Sequence, residues 1–397
     1  MTEGDTYDRR AARRHLARLI LSVSPVIFGT WTLQMFLKDI YARAGHPVVT
    51  QEMMVGLAFG GMAVGRLLAP WTIRWLGDRG SMLAGAFAYI VFAAAQWPAV
   101  HGWWLAPIAV GLGLCASCLW SVVGATTLDL GRRAGVGGRA GIQFGLNTYA
   151  QALGILVVGL IVSTGRINLA VLVGVMCAVA TTAALWRFPT TTVRRDRVRP
   201  THVRAFATDP HMILVGVFLM VGSLPFGLVF GAFRDHVRAH APVWLVIPCV
   251  FLARGTVAIV GGALVDRLGR GVTLAAGFAV GAAALFLAPG MSETAGLIVS
   301  AVMLGVQMSL VPVAGLALVG ATTASGHRPA ALGLLFFWRD VGLVAGVLGG
   351  SYLNDALGAG GRGFAVFGAV MALFALLSLL LMRRRAERPA MAEEPEP

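Results

Sequence analysis

The chain has 397 residues, of which 57% are hydrophobic and only 13% are charged, and its mean hydropathy is +0.77. Soluble domains carry roughly 25% charged residues, so this composition excludes a pair of ordinary soluble domains. The formal net charge of +14 does not indicate a nucleic-acid partner, because the basic residues lie in short clusters between long apolar runs. That arrangement is typical of a protein embedded in a lipid bilayer.

Twelve apolar segments have the length of a transmembrane helix, which needs about 20 residues to cross a hydrocarbon core of ~30 Å. Interruptions by charged residues, Pro and Gly place the first six spans near 17–37, 52–73, 82–99, 104–128, 142–164 and 168–187. The second six follow near 211–233, 243–265, 272–289, 295–323, 330–353 and 363–382. We therefore predict an all-α integral membrane protein with twelve transmembrane helices.

A polar, Arg-rich segment separates the two sets of six spans and predicts a linker between two units. The predicted organisation is a first bundle at 1–187, a linker at 188–210, a second bundle at 211–383 and a tail at 384–397. Most of the Lys and Arg residues lie in segments on the same side of the membrane as this linker and the two termini. The positive-inside rule therefore predicts that both termini are cytoplasmic. The short loops and the Ala-, Gly- and Arg-rich composition favour a bacterial inner membrane.

The second half of the chain repeats short motifs of the first half at a nearly constant offset, which indicates an internal duplication. The matching segments are Leu76-Gly77 with Leu268-Gly269, Gly124-Ala-Thr-Thr127 with Gly320-Ala-Thr-Thr323, and Lys38-Asp39 with Arg234-Asp235. Because the matches occur in the same order in both halves, the two bundles are predicted to share one topology.

Six spans repeated in one orientation and joined by a basic loop resemble the major facilitator superfamily. The segment Gly261-Gly-Ala-Leu-Val-Asp266-Arg267-Leu-Gly269-Arg270 is similar to the inner-loop signature of that family. In the first half, Arg74 stands where the signature usually has Asp. The resemblance implies two pseudo-symmetric six-helix bundles, alternating access and a site near the membrane midplane. It also implies that Asp266, Arg267 and Arg270 form part of an inner gate.

Four charged residues lie within predicted spans, where each is costly and marks either a functional site or a paired structural charge. They are Arg66, Arg254, Arg339 and Asp340. The resemblance places spans 2 and 11 side by side, so Arg66 is a candidate gating residue that pairs with Asp340. A purely structural salt bridge, or snorkelling of Arg66 to the surface, is the alternative. Because adjacent helical residues diverge by about 100°, we expect Arg339 and Asp340 to face different ways.

The candidate substrate-binding residues are two arginines and four amides, namely Arg254, Arg339, Gln34, Asn147, Gln151 and Gln307. We expect Arg254 to face Asn147 and Gln151, because the resemblance makes spans 5 and 8 neighbours. Three buried Arg against one Asp leave the interior positive, and an unpaired guanidinium is costly unless an anion binds it. The sequence therefore predicts an anionic solute. Helix–helix contacts are the alternative role for the amides.

Two charged pairs, Lys38-Asp39 and Arg234-Asp235, end spans 1 and 7 on the predicted outer side. Cross-pairing of Lys38 with Asp235 and of Asp39 with Arg234 would close that side, which makes Lys38 and Arg234 candidate gating residues. Four solvated loop charges are the alternative. For proton coupling, the predicted carrier is Asp340, and Asp39 and Asp235 are further candidates.

The sequence contains no phosphate-cradling loop and no zinc motif, so a gradient is predicted to supply the energy, with protons as the coupling ion. We predict a monomeric secondary transporter, not an enzyme, without metal or cofactor. Its predicted activity is export of a small anionic solute, such as a metabolite, siderophore or drug. The alternatives are an uptake permease for a siderophore or peptidoglycan fragment, a non-transporting scaffold or sensor, and a lipid flippase.

Overall fold

A computed structural model describes residues 3–45, 50–97, 102–131, 136–188, 207–322, 328–357 and 361–386, and within these ranges the chain is helical apart from short turns. The helices of the first half are α1 (Glu3–Val26), α2 (Leu37–Ala44), α3 (Gln51–Ala95), α4 (Leu105–Gly131), α5 (Val136–Ser163) and α6 (Ile167–Trp186). Those of the second half are α7 (Pro210–Phe230), α8 (Ala232–His240), α9 (Val243–Leu268), α10 (Arg270–Leu287), α11 (Thr294–Thr322), α12 (Arg328–Leu357) and α13 (Arg362–Ala386).

The segment α3 consists of two helices that meet at Gly77, and together they are long enough to cross a membrane twice. It contains 45 residues, and at 1.5 Å per residue it is about 68 Å long, more than twice the thickness of a ~30 Å hydrocarbon core. Its backbone leaves the helical conformation at Gly77, where φ is 68° and ψ is 173°. The described residues contain eleven helical segments long and apolar enough to span a membrane, counting α3 once. Because α3 makes two crossings, the prediction of twelve transmembrane helices is confirmed.

The internal repeat is visible in the backbone. Gly269, between α9 and α10, has φ 82° and ψ 152°, close to the conformation of Gly77, its counterpart in the first half. Side-chain-bearing residues rarely adopt this region, which explains a glycine at both turns. The short helices α2 and α8 also correspond, since each follows a break at the end of a long helix.

Glycines allow the helices of each bundle to approach closely. A β-carbon at Gly154 of α5 would overlap the carbonyl oxygen of Phe28, and one at Gly346 of α12 would overlap that of Leu224 on α7. These two contacts are repeat-related, because both glycines and both carbonyls correspond between the halves. Close backbone contact is the usual way to hold helices together in lipid, where apolar burial supplies little driving force.

The outward faces of the helices are apolar. Leu153 and Leu160 on α5 are 54% and 49% exposed, and Leu376 on α13 is 60% exposed. Charged side chains within the spans are instead buried, as are Arg66 and Asp340. Apolar side chains outside and charged side chains inside are the reverse of the pattern in soluble proteins. This reversal is typical of a protein surrounded by lipid.

The two bundles meet through α3 against α12 and through α5 against α9. At the second contact, a β-carbon at Gly145 would lie 2.9 Å from the carbonyl oxygen of Gly255. The predicted linker at 188–210 falls mainly on residues outside the described ranges, and so does most of the predicted tail.

We expect Gly269→Ala to destabilise the fold by about 1–3 kcal/mol, because alanine would be strained at a φ of 82°. Thermal unfolding of the detergent-solubilised protein measures this as a lower melting temperature. The matched control is Gly111→Ala on α4, where a β-carbon meets open space and alanine favours the helix. Equal melting temperatures for the two variants would contradict the conformation assigned to Gly269.

Candidate functional site

A buried ion-pair network connects the bundles at the level of Arg66. The Nε of Arg66 on α3 donates to Oδ2 of Asp340 on α12 at 3.4 Å, and its Nη1 donates to the Ser121 hydroxyl of α4 at 3.1 Å. The side chains of Arg66 and Asp340 are 3% and 0% exposed. Because Arg66 and Asp340 belong to different bundles, this contact depends on the relative position of the bundles.

Arg339 also binds Asp340. Its Nε and Nη2 donate to Oδ1 at 2.9 and 2.5 Å. The expectation that Arg339 and Asp340 would face different ways is therefore wrong for their charged groups, because the long arginine side chain folds back onto the neighbouring carboxylate. Both Arg66 and Arg339 lie over the ring of Phe336, with the guanidinium carbons 5.1 and 4.7 Å from its centroid.

Arg254 has aromatic neighbours in place of an acid. Its guanidinium carbon lies 4.7 Å from the ring centroid of Phe144 on α5 and 4.4 Å from that of Phe226 on α7. Arg254 is 7% exposed, its Nε has no hydrogen-bond partner, and no ion pair reaches it within the described residues. Arg339 is close enough to add electrostatic repulsion. No acidic group in the described part of the chain thus compensates the buried positive charge of Arg254.

The four predicted amides are all buried. Asn147 and Gln151 lie on α5 with Phe144, and their Oδ1 and Nε2 atoms have no partner. The two faces of the Arg254 guanidinium are covered by Phe144 and Phe226.

The remaining two amides lie on other helices. Gln307 of α11 donates from Nε2 to the carbonyl of Gly222 at 2.8 Å, a helix–helix contact with α7. The Oε1 atoms of Gln307 and of Gln34 have no partner.

A cluster of charges joins α2 to α8, and we call it the α2–α8 cluster: Lys38, Asp39, Arg234, Asp235 and Arg238. The Nζ of Lys38 lies 2.7 Å from Oδ2 of Asp235, and Arg234 pairs with Asp39. Nη2 of Arg238 lies 2.9 Å from Oδ1 of Asp39. Both cross-pairs expected from the repeat are therefore present, and Arg234 is fully buried.

Polar residues at the start of α3 extend this cluster. Gln51 accepts from the backbone N–H of Lys38 at 3.0 Å and donates to the carbonyl of Phe230 at 2.5 Å, while Glu52 lies 3.8 Å from Lys38. Sequence reasoning missed Gln51, Glu52 and Arg238. The spacing of four residues between Arg234 and Arg238 places both on one helical face and was an available signal.

An aromatic layer, formed by Phe59, Phe226, Phe230 and Phe251, lies between the bundles. The Phe59 ring of α3 packs edge-on against Phe226 and Phe230 of α7, at centroid distances of 6.4 and 5.9 Å. Phe251 of α9 packs against Phe226 at 6.2 Å. All four rings are buried. The α2–α8 end of the molecule is therefore closed by apolar as well as charged contacts.

The predicted inner-gate residues lie at the turn between α9 and α10. Arg267 and Arg270 are exposed, and the side chain of Asp266 is outside the described part of the chain. His236 and His240, near the α2–α8 cluster, are adjacent to each other, with ring centroids 4.8 Å apart. His236 also lies 3.3 Å from the carbonyl oxygen of Met291.

Comparisons with known proteins agree with this architecture. Residues 240–397 match the family described as the Major Facilitator Superfamily. The match covers less than half of the chain, from the end of α8 onward. The crystal structure of nucleoside transporter NupG is similar, with a TM-score of 0.69 and 11% identity over 93% of this chain and 99% of that one. An auto-inhibited POT family peptide transporter is also similar, with a TM-score of 0.69 and 13% identity over 96% and 99%.

A comparison with curated proteins gives no match. At 11–13% identity, the structural likeness shows the fold alone.

We expect Arg234→Gln to open the α2–α8 end, because it leaves Asp39 and Asp235 without their buried partner. The measurement is the maleimide labelling rate of a Phe230→Cys reporter, in detergent, in a background without the four native cysteines. We expect labelling to rise at least about tenfold.

The control for this experiment is Arg362→Gln, which changes an exposed arginine and should leave labelling unchanged. The charge swap Asp39→Arg with Arg234→Asp should restore slow labelling. Unchanged labelling in Arg234→Gln would show that the α2–α8 cluster does not hold this end closed.

Proposed function

We propose that the chain is a secondary active transporter of a small anionic solute, which binds at Arg254 between the two bundles. The observation that carries this proposal is the buried, uncompensated guanidinium of Arg254. Cation–π contacts offset part of its desolvation, at about 0.5–2 kcal/mol each. They leave the in-plane N–H groups of the guanidinium free to bind a carboxylate or phosphate.

The charge balance of the interior supports an anion. Asp340 is already bound by Arg66 and Arg339, so it does not neutralise Arg254 as well. A buried cation without a partner is strongly destabilising, which favours an anionic ligand at this position. The side chain of Arg339 is 19% exposed, so a second guanidinium is available to the same solute.

The positions of the contacts between the bundles support a mechanism of alternating access. The α2–α8 cluster and the aromatic layer close one end, while the Arg66–Asp340 pair lies deeper in the protein. We propose that both contacts break when the bundles rock apart at the α2–α8 end, and that Lys38, Arg234 and Arg66 are gating residues. Arg267, Arg270 and Asp266 are proposed to act at the opposite end.

We propose that the termini and linker are cytoplasmic and that the protein lies in a bacterial inner membrane as a monomer. In that orientation the closed α2–α8 end is the outer side. Arg339 and the half-buried Ser121 of α4 are partly exposed in this conformation. The conformation is therefore suited to loading solute from the cytoplasm, which supports export as the direction of transport.

We propose protons as the coupling ion and Asp340 as their carrier. The carboxylate bridges an arginine of the other bundle and an arginine of its own helix. Separation of the bundles removes Arg66 from Asp340 and leaves the carboxylate with Arg339 alone. Asp39 and Asp235 are bound in the α2–α8 cluster, which favours a gating role for them.

We expect Arg254→Gln to reduce transport of anionic solutes at least about tenfold, because the charge-assisted hydrogen bonds are lost. The measurement is uptake of radiolabelled carboxylates and phosphate esters into proteoliposomes. Arg254→Lys should retain part of the activity. Arg166→Gln, which changes an exposed arginine, is the control. Full activity in Arg254→Gln, or transport of neutral solutes alone by the wild type, would overturn the proposal.

We expect Asp340→Asn to abolish accumulation driven by a pH gradient while preserving solute exchange across the membrane. The measurement compares both activities in proteoliposomes with and without an imposed gradient. Because this change leaves Arg66 without its acid, the double variant Asp340→Asn with Arg66→Gln maintains the charge balance if the single variant unfolds. Asp355→Asn, an exposed carboxylate on the same helix, is the control. Gradient-driven accumulation in both Asp340 variants would exclude Asp340 as the carrier.

A further inference from the structure

The face of α5 beside Arg254 lies between two packing contacts. On one side, β-carbons at Gly141 and Gly145 would meet the backbone of α9. On the other side, a β-carbon at Gly154 would meet the carbonyl of Phe28, in the π-helical turn Ile27–Trp31 that follows α1. The opposite face of the helix carries the exposed Leu153 and Leu160 and is lipid-facing. The face between α9 and α1 therefore points into the space where the bundles meet.

Phe144, Asn147 and Gln151 occupy this inward face. At about 100° per residue, Gln151 lies roughly 20° and Asn147 roughly 60° around the helix from Phe144. Phe144 is the residue whose ring covers the Arg254 guanidinium. The two amides therefore extend the Arg254 site along α5, toward the α2–α8 end.

Each of these amides has one polar atom without a partner among the residues that the structure describes. Asn147 is 8% exposed and Gln151 is 5% exposed, yet Oδ1 of the first and Nε2 of the second have no hydrogen bond. Other polar side chains of α5 are satisfied: Thr148 donates to the carbonyl of Phe144, and Gln143 accepts from Thr127. Buried polar atoms are normally paired, so an unpaired acceptor and donor at one site indicate a ligand.

From this juxtaposition we infer the class of solute: a small carboxylate that also carries an amide group, such as an N-acyl amino acid. The inference rests on the proposed function, because the carboxylate binds Arg254. The amide N–H of the solute donates to Oδ1 of Asn147, and its C=O accepts from Nε2 of Gln151. Residues four apart on a helix, with β-carbons about 5–6 Å apart, present the two side chains at successive positions along the solute.

The test compares matched pairs of solutes that differ in one atom. N-acetylglycine, N-acetylalanine and N-acetylphenylalanine each carry the amide N–H, whereas O-acetylglycolate, O-acetyllactate and O-acetylphenyllactate replace it with an ester oxygen. Size and charge are otherwise matched. Binding is measured as ligand-dependent stabilisation in thermal unfolding and transport as uptake into proteoliposomes.

For the wild type, we expect at least one amide to be preferred over its ester at least about tenfold, because the ester leaves Oδ1 of Asn147 unpaired. Asn147→Leu should abolish that preference while the ester still binds. Gln151→Leu should weaken amide and ester alike, since both retain the C=O group. Thr148→Val is the control and should preserve the preference.

The outcomes separate this inference from the proposed function. Equal binding of amides and esters, or a preference that survives in Asn147→Leu, would overturn the amide assignment but leave the anion site intact. Binding or transport of simple carboxylates, with none of the three amides bound or transported, would also overturn the amide assignment and leave the anion site intact. Failure to bind or transport any anion would overturn the proposed function itself. Loss of all carboxylate binding in Arg254→Gln, with the amide preference in the wild type, would support both.

Discussion

Burial of guanidinium groups between two helical bundles is the constraint on which the rest of this structure depends. Arg66 and Arg339 share the carboxylate of Asp340, and Arg254 is left with two aromatic rings. In a low dielectric, each of these arrangements is tolerable only while its partners stay in place. The charges and rings that reach across the interface therefore hold the two bundles together in this conformation.

The duplicated architecture supplies the frame for these charges. Corresponding glycines hold α5 against the π-helical turn that follows α1, and α12 against α7, so each bundle is internally tight. Between the bundles, α5 also packs closely on α9 through Gly141 and Gly145, whereas the α2–α8 end is closed by ion pairs and aromatic edges. Ion pairs and aromatic edges separate and re-form more readily than interlocked backbones, which favours opening at the α2–α8 end.

Much of this architecture could be predicted from the sequence. The apolar runs fix the twelve spans because lipid imposes their length, and the repeat indicated that Lys38 would meet Asp235. The same reasoning failed at Arg339, because helical periodicity gives the direction of a Cβ but not the path of a long side chain. It also could not place Phe144 and Phe226 on Arg254. These three residues lie far apart in the chain, and no periodic pattern relates them.

The aromatic cover of Arg254 draws one ring from each bundle. Phe226 belongs to the same half as Arg254, whereas Phe144 comes from the other half. Any rotation between the halves must slide Phe144 relative to the guanidinium, so the polarity around Arg254 changes together with the conformation. The proposed function needs an affinity that differs between two states. Under that proposal, a single phenylalanine ring provides a means of setting the difference.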